Sequence, residues 1–179
     1  MSDLPESILA PSFEKLLVQA QRNEQTMFGR TRISARAVLK TGVGVLVRDE
    51  AGRILLERRS DCGLWGLLGG SVHPGETITQ TVQREVEEES GLLVKISFLV
   101  GVYSDPEDRI VVYPDNGDER HLIDIVLEAE ITGGKLRISQ ESLELHFFSL
   151  KNLPPPEMFA PPARKPVADY LQGYRGVIC

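Results

Sequence analysis

The 179-residue chain is predicted to be an α+β domain preceded by an extra N-terminal helix, and three observations carry this. Strand-length runs of Val, Leu and Ile, separated by turn signals, lie before and after one amphipathic helix with clear start and stop residues. Further helical patterns precede the first convincing strand and follow the last. The chain is 41% hydrophobic and 26% charged, ordinary globular material and enough for one sizeable core.

Taken in order, residues 1–11 are polar, proline-punctuated and expected to be loose. Ser12 then reads as a helix start, since Phe13, Leu16, Leu17 and Ala20 recur at helical spacing before Gly29. This amphipathic helix belongs to an extension, residues 1–35, and either docks on its own domain or packs on a second copy, making a homodimer. Ala37 to Arg48 reads as a buried strand interrupted by Gly42 and Gly44. Asp49 to Gly52 turns the chain into a second strand, Arg53 to Arg59, whose last two arginines must face opposite ways. Asp61 to Gly69 is a loop holding the single tryptophan, Trp65, which reads as a packed anchor rather than a stacking platform. After the central helix, extended segments follow at Leu92 to Tyr103, Arg109 to Tyr113, His121 to Ile131 and Leu143 to Leu150. Pro114 to Asp118 and Thr132 to Gly134 are the turn signals between the later ones. Six prolines between Pro154 and Pro166 read as an irregular surface connection, with a short closing helix at about Val167 to Leu171.

The chemistry concentrates between Gly70 and Leu92. Pro74-Gly75 ends a turn-rich stretch, Thr77 or Thr79 caps the following helix, and Gly91 stops it. At 100° per residue Ile78, Val82 and Val86 form an apolar stripe, and Glu85, Glu88 and Glu89 lie on an overlapping arc. Three carboxylates within a turn repel one another, and a hard divalent cation with oxygen ligands, magnesium or manganese, offsets that cost. Arg84, four residues before Glu88, can pair with it and hold its direction. A charge run on a helix can also be a solvated face. The spacing decides between the two: Gly70, five residues, Glu76, seven residues, Arg84-Glu85, an aliphatic residue, one further residue, Glu88-Glu89, one residue, then Gly91 and an aliphatic.

That pattern fills every fixed position of the Nudix box, and over roughly residues 38 to 153 the chain resembles the Nudix hydrolase family. The resemblance implies a mixed β-sheet between helices, an α/β/α sandwich, over a hydrolase domain of residues 36–179. It implies cleavage by water of a nucleoside diphosphate linked to another group, with ADP-ribose or a nucleotide sugar as the leading substrate class. House-cleaning of oxidised nucleoside triphosphates is the alternative, and a nucleotide-binding module without turnover is a third reading, disfavoured because all the box carboxylates are present. Metal ligation falls to Glu85, Glu88, Glu89 and the Gly70 backbone. Catalysis falls to Glu88, Glu89 and Arg84, with the general base among Glu89, Glu119, Glu141 and Glu144, and Glu141 preferred on a later loop. Arg59, Tyr103 and Glu76 are the substrate-side candidates, Glu76 also supporting the loop-helix junction. The chain departs from the family at Leu68, where proline is usual. His73 lies in the variable part of the box and reads as an exposed loop residue.

Composition narrows the partners. Twenty basic against twenty-six acidic residues give a net charge of −6 without a basic run, which excludes polymeric nucleic acid as the natural partner. No apolar run spans a bilayer, the N-terminus lacks a secretion pattern, and Cys62 and Cys179 make no disulfide framework, so a cytoplasmic setting is expected.

Overall fold

A computed structural model describes residues 4–28, 37–113 and 117–179. Of the turn expected at Pro114 to Asp118, residues 114–116 lie outside the described residues, and the Tyr113 N–H donates to the Asp118 carbonyl at 2.9 Å across it. The chain runs β1 (Ser7–Leu9), α1 (Phe13–Met27), β2 (Val38–Arg48), β3 (Ile54–Arg59), β4 (Trp65–Gly66), α2 (Ile78–Ser90), β5 (Leu92–Tyr103), α3 (Pro106–Arg109), β6 (Ile110–Val112), β7 (Glu119–Gly134), β8 (Ser142–Phe148), α4 (Pro161–Leu171) and β9 (Val177–Ile178). The strands form one mixed sheet in the order β1-β8-β3-β2-β7-β5-β9, with β4 on β3 and β6 on β7. β2 and β7 run parallel from Val38↔Arg120 to Arg48↔Glu130, and β5 lies antiparallel to β7.

Alternation along these strands builds a core on each face. Val43, Val45 and Val47 of β2 point to the side where Val82 and Val86 of α2 pack. Leu46 points to the other side, with Val126, Trp65 and the α4 residues Ala163, Val167 and Tyr170. The expected helix-sheet-helix layering is present, and Trp65 is an anchor, buried edge-on 4.9 Å from Phe148.

Two elements differ from expectation. Ser7–Leu9 is not loose: it pairs antiparallel with Glu144, Leu145 and His146 of β8, and its backbone groups gain ladder partners that outweigh a polar composition. The final helix begins at Pro161, six residues earlier than expected, because Pro161 and Pro162 occupy its first turn, where no intrahelical donor is missed. Only Pro166 falls in its interior. α1 lies on its own domain: Ala20 is buried, Phe13 lies under the Arg58 guanidinium, and Leu17 approaches Gly63.

The feature that positions the site is a splay between β2 and β3. Their pairing is confined to Val47↔Leu55 and Arg48↔Ile54. Beyond it, residues 68–72 take the place beside β2: Val45 N–H donates to Leu68 O at 2.7 Å, Val43 N–H to Gly70 O at 2.9 Å and Val72 N–H to Thr41 O at 3.0 Å. Leu68, where the family has proline, is fully buried in the α2-side core, so the departure is absorbed by packing.

Candidate active site

α2 delivers the box carboxylates through strictly local rules. Thr77 caps it in a reciprocal box with Gln80, deciding between the two threonine candidates, and Gly91 ends it in the left-handed conformation at φ 71°. Val82 and Val86 of its apolar stripe are buried and Ile78 packs half-buried beside them, leaving Glu85, Glu88 and Glu89 along the wall of a cavity of about 630 Å³. Across the splay the cavity is walled by Glu57 and Arg59 of β3, and by Lys40 and Gly42 of β2. Arg120, Leu122 and Asp124 of β7, the loop glycines Gly69 and Gly70, and Glu141 complete it. Val111, Tyr113 and Ala160 contribute a less polar region, with Arg120 stacked 4.4 Å from the Tyr113 ring.

Arg84 organises the acidic wall. Its Nε donates to Glu76 at 2.6 Å and Nη2 to Glu76 at 2.9 Å, while Nη1 donates to Glu85 at 2.8 Å and Glu88 at 3.2 Å; Nη2 also reaches the Ser71 carbonyl at 3.1 Å. The guanidinium holds the Glu76 carboxyl down to about 2, helped by the His73 N–H and the Thr81 hydroxyl. Glu76 is thus turned to Arg84 and the start of α2, off the cavity wall.

Glu89 is buried, with its Oε2 taking the Gly69 N–H at 2.7 Å. Burial drives its carboxyl well above the usual range, and the neighbouring Glu57 adds to the shift. Glu57, 2% exposed, accepts the Ser142 hydroxyl at 2.8 Å and is pushed up to about 7 by burial, against the pull of Arg59. Burial also raises Glu85, and Arg84 opposes it. Gly70 makes this proximity feasible: a Cβ there would stand 2.5 Å from Glu85 Oε1.

A hard divalent cation suits this donor set, because desolvated carboxylates from α2 and β3 face one cavity and their mutual repulsion is what such an ion relieves. Among the described residues no three acidic, histidine or cysteine side chains already converge as ligands. The hydrogen bonds give the reason, since Arg84 holds Glu85 and Glu88 and the Gly69 N–H holds Glu89.

The cavity therefore brings together Glu85, Glu88, Glu89, Gly70, Arg84, Arg59 and Glu141. Arg59 pairs with Asp61 beneath it, whereas Arg58 faces the other way onto the Gly63 carbonyl. Tyr103 is not on this wall. It is 2% exposed in the α4-side core, its hydroxyl donating to Asp169 at 3.2 Å, because its position along β5 points it to that face. Glu119 and Glu144 do not line the cavity. Sequence reading missed Glu57, which follows the apolar run Ile54-Leu55-Leu56 of β3, and Asp124, which stands between Ile123 and Ile125 of β7; an acidic residue against such apolar neighbours is the signal that points to them.

The model of the NUDIX domain matches residues 38–170. The chain belongs to the Nudix family. An ADP-ribose pyrophosphatase of Methanocaldococcus jannaschii is 35% identical over 136 residues, covering 74% of this chain and 73% of that protein. A Bacillus subtilis protein provisionally named an 8-oxo-dGTP diphosphatase is 35% identical over 138 residues, covering 76% and 83%. A crystal structure of a NUDIX hydrolase from Nitrosomonas europaea shares the fold at a TM-score of 0.63 and 24% identity, over 78% of this chain and 76% of that one. This Nudix hydrolase is an enzyme acting on diphosphate bonds of small nucleotide substrates, in a family that generally needs divalent metal ions. Among the described residues no helix is long and apolar enough to cross a membrane.

The raised Glu57 carboxyl carries a stability prediction. Between about pH 4.5 and 7 the folded chain retains a proton that the unfolded chain releases, so stability falls as pH rises through that window. In chelator-containing buffer the enzyme is expected to unfold more readily at pH 8 than at pH 5.5. Glu57→Gln should recover on the order of 2 kcal/mol at pH 8 and lessen the slope, the buried Glu89 carboxyl keeping the remainder. Denaturant titrations at the two pH values check this, and an unchanged pH slope in the variant would contradict it.

Proposed function

We propose that this enzyme is a magnesium-dependent pyrophosphohydrolase of a nucleoside diphosphate linked to a second group, with ADP-ribose or a related nucleotide sugar as its substrate. The observation that carries the reading is the division of one cavity into a carboxylate wall and a less polar region beside Tyr113 and Arg120. Its volume suits a small nucleotide, and the M. jannaschii relative is named for that activity.

Glu85, Glu88 and Glu89, with the Gly70 carbonyl, are the groups that would hold the ion; manganese has the same ligand preferences. When bound, magnesium neutralises diphosphate oxygens and acidifies water. Arg84 orients Glu85 and Glu88 by the bonds it makes to them, and is itself fixed by Glu76. Arg59, supported on Asp61, offers its guanidinium to a phosphate oxygen. Glu141, exposed on the rim and electrostatically coupled to Glu57 and Glu85, is the proposed base that takes the proton of the attacking water.

Removal of pyrophosphate from oxidised nucleoside triphosphates is the second reading, favoured by the B. subtilis relative at equal identity. Comparing kcat/KM for ADP-ribose, UDP-sugars, dGTP and 8-oxo-dGTP separates them. ADP-ribose is expected to lead the triphosphates by roughly tenfold or more, a difference of about 1.4 kcal/mol in transition-state binding. A lead for 8-oxo-dGTP would install the second reading.

A further inference from the structure

On the wall opposite the box helix, one ion pair, a buried arginine with a partly buried aspartate, has no place in the roles above. Asp124 stands on β7 beside Gly42 of β2, in direct register. Its Oδ2 lies 3.1 Å from Arg109 Nε, and Arg109 itself is 1% exposed above the Tyr103 ring. The angle falls short of a hydrogen bond, and Arg109 Nε and Nη2 have no hydrogen-bond partner among the described residues. Asp124 Oδ1 points the other way, to the space above Gly42, where an added Cβ would meet it at 3.0 Å and the Gly70 carbonyl at 3.1 Å. A buried pair of this kind costs desolvation and returns little stability. Here its evident product is one carboxylate oxygen held at the cavity wall, with a glycine keeping the space before it clear.

The position of that oxygen selects the ligand group. Gly70 is common to both ends: its Cα faces Glu85, and its carbonyl faces Gly42 beside Asp124. Along β7 the cavity residues are Asp124, Leu122 and Arg120, successive positions on one face and so about 7 Å apart. With the diphosphate at the acidic wall, Asp124 stands next in line, and Leu122 then Arg120 with Tyr113 beyond it. A nucleotide has the same order: phosphate, sugar, base. A carboxylate repels phosphate and accepts from hydroxyl donors, so the sugar is the group it suits.

We propose that Asp124, positioned by Arg109, accepts hydrogen bonds from the ribose hydroxyls of the substrate's nucleoside and makes the enzyme select ribonucleotides over 2′-deoxyribonucleotides. The assignment rests on the nucleotide reading of the cavity given above. The loss of a hydrogen bond to a charged acceptor corresponds to roughly 10- to 100-fold.

The experiment measures kcat/KM for ADP-ribose and 2′-deoxy-ADP-ribose, and for GTP and dGTP. In parallel it measures calorimetric affinity for AMP, 2′-deoxy-AMP, GMP and dGMP. Wild-type enzyme is expected to favour the ribo form roughly 10- to 100-fold, and Asp124→Asn to bring the ratio close to one. Gly42→Ala, which keeps both the Asp124 and Arg109 side chains and fills the space before Asp124 Oδ1, should narrow the same ratio and guards against a folding defect in the first variant. Absence of a ribo preference in the wild type, in turnover and in binding alike, overturns the proposal. So does a ratio that survives both substitutions. If no compound is turned over but the monophosphates show a ribo preference that Asp124→Asn abolishes, the substrate reading fails and the Asp124 contact stands.

Discussion

Glu88→Gln is expected to lower kcat by about two to four orders of magnitude while leaving the fold intact. The glutamate side chain is 61% exposed, and among the described residues its hydrogen bond is the 3.2 Å one from Arg84, a guanidinium that keeps Glu76 and Glu85 as partners when it is lost. The amide preserves shape and removes the charge that a divalent ion and its water require. Steady-state turnover with saturating magnesium, beside thermal unfolding, checks both halves. Near-normal turnover would remove Glu88 from the metal-binding set, and a large loss of stability would make its role structural.

Gly69→Ala is expected to have the largest effect on stability of any single methyl addition in the site. A Cβ at this position would lie 2.1 Å from the Val43 carbonyl oxygen, at a φ of +139° that side chains other than glycine's rarely adopt. The strand-like segment 68–72 cannot retreat without giving up its bonds to β2, and the Gly69 N–H that holds Glu89 would move with it. A cost of about 3 kcal/mol or more is expected, lowering the unfolding midpoint by roughly 6–12 °C, with activity falling in step. Gly75→Ala provides the comparison. Gly75 also has a positive φ, +90°, but open space around it, so only the backbone penalty of about 1 kcal/mol applies. Equal effects at the two glycines would mean that segment 68–72 is free to adjust.

What could be read in the sequence was what is local. The box helix, its Thr77 and Gly91 ends, and the shared face of Glu85, Glu88 and Glu89 depend on spacing within about four turns of chain, and Arg84 lies within a turn of its partners on α2. The rest depends on long-range pairing. Nothing near Glu57 indicates that β3 parts from β2 and turns this carboxylate toward Glu89. Tyr103 is a substrate-side candidate by sequence, yet the pleat of β5 sends it to the opposite core. Asp124 lay hidden between Ile123 and Ile125 of a strand whose partner residue, Gly42, is more than eighty residues away. The proline run misled for a different reason: proline breaks a helix interior but is well placed in a first turn, and where a helix starts is set by the packing of Ala163 and Val167 rather than by composition.

The most direct test of the metal-dependent reading follows AMP and ribose 5-phosphate from ADP-ribose by chromatography, first with magnesium, then with excess EDTA, then after magnesium is restored. The account predicts both products with magnesium, their loss under EDTA and their return on re-addition. A rate indifferent to EDTA would contradict the metal-holding role of the α2 carboxylates.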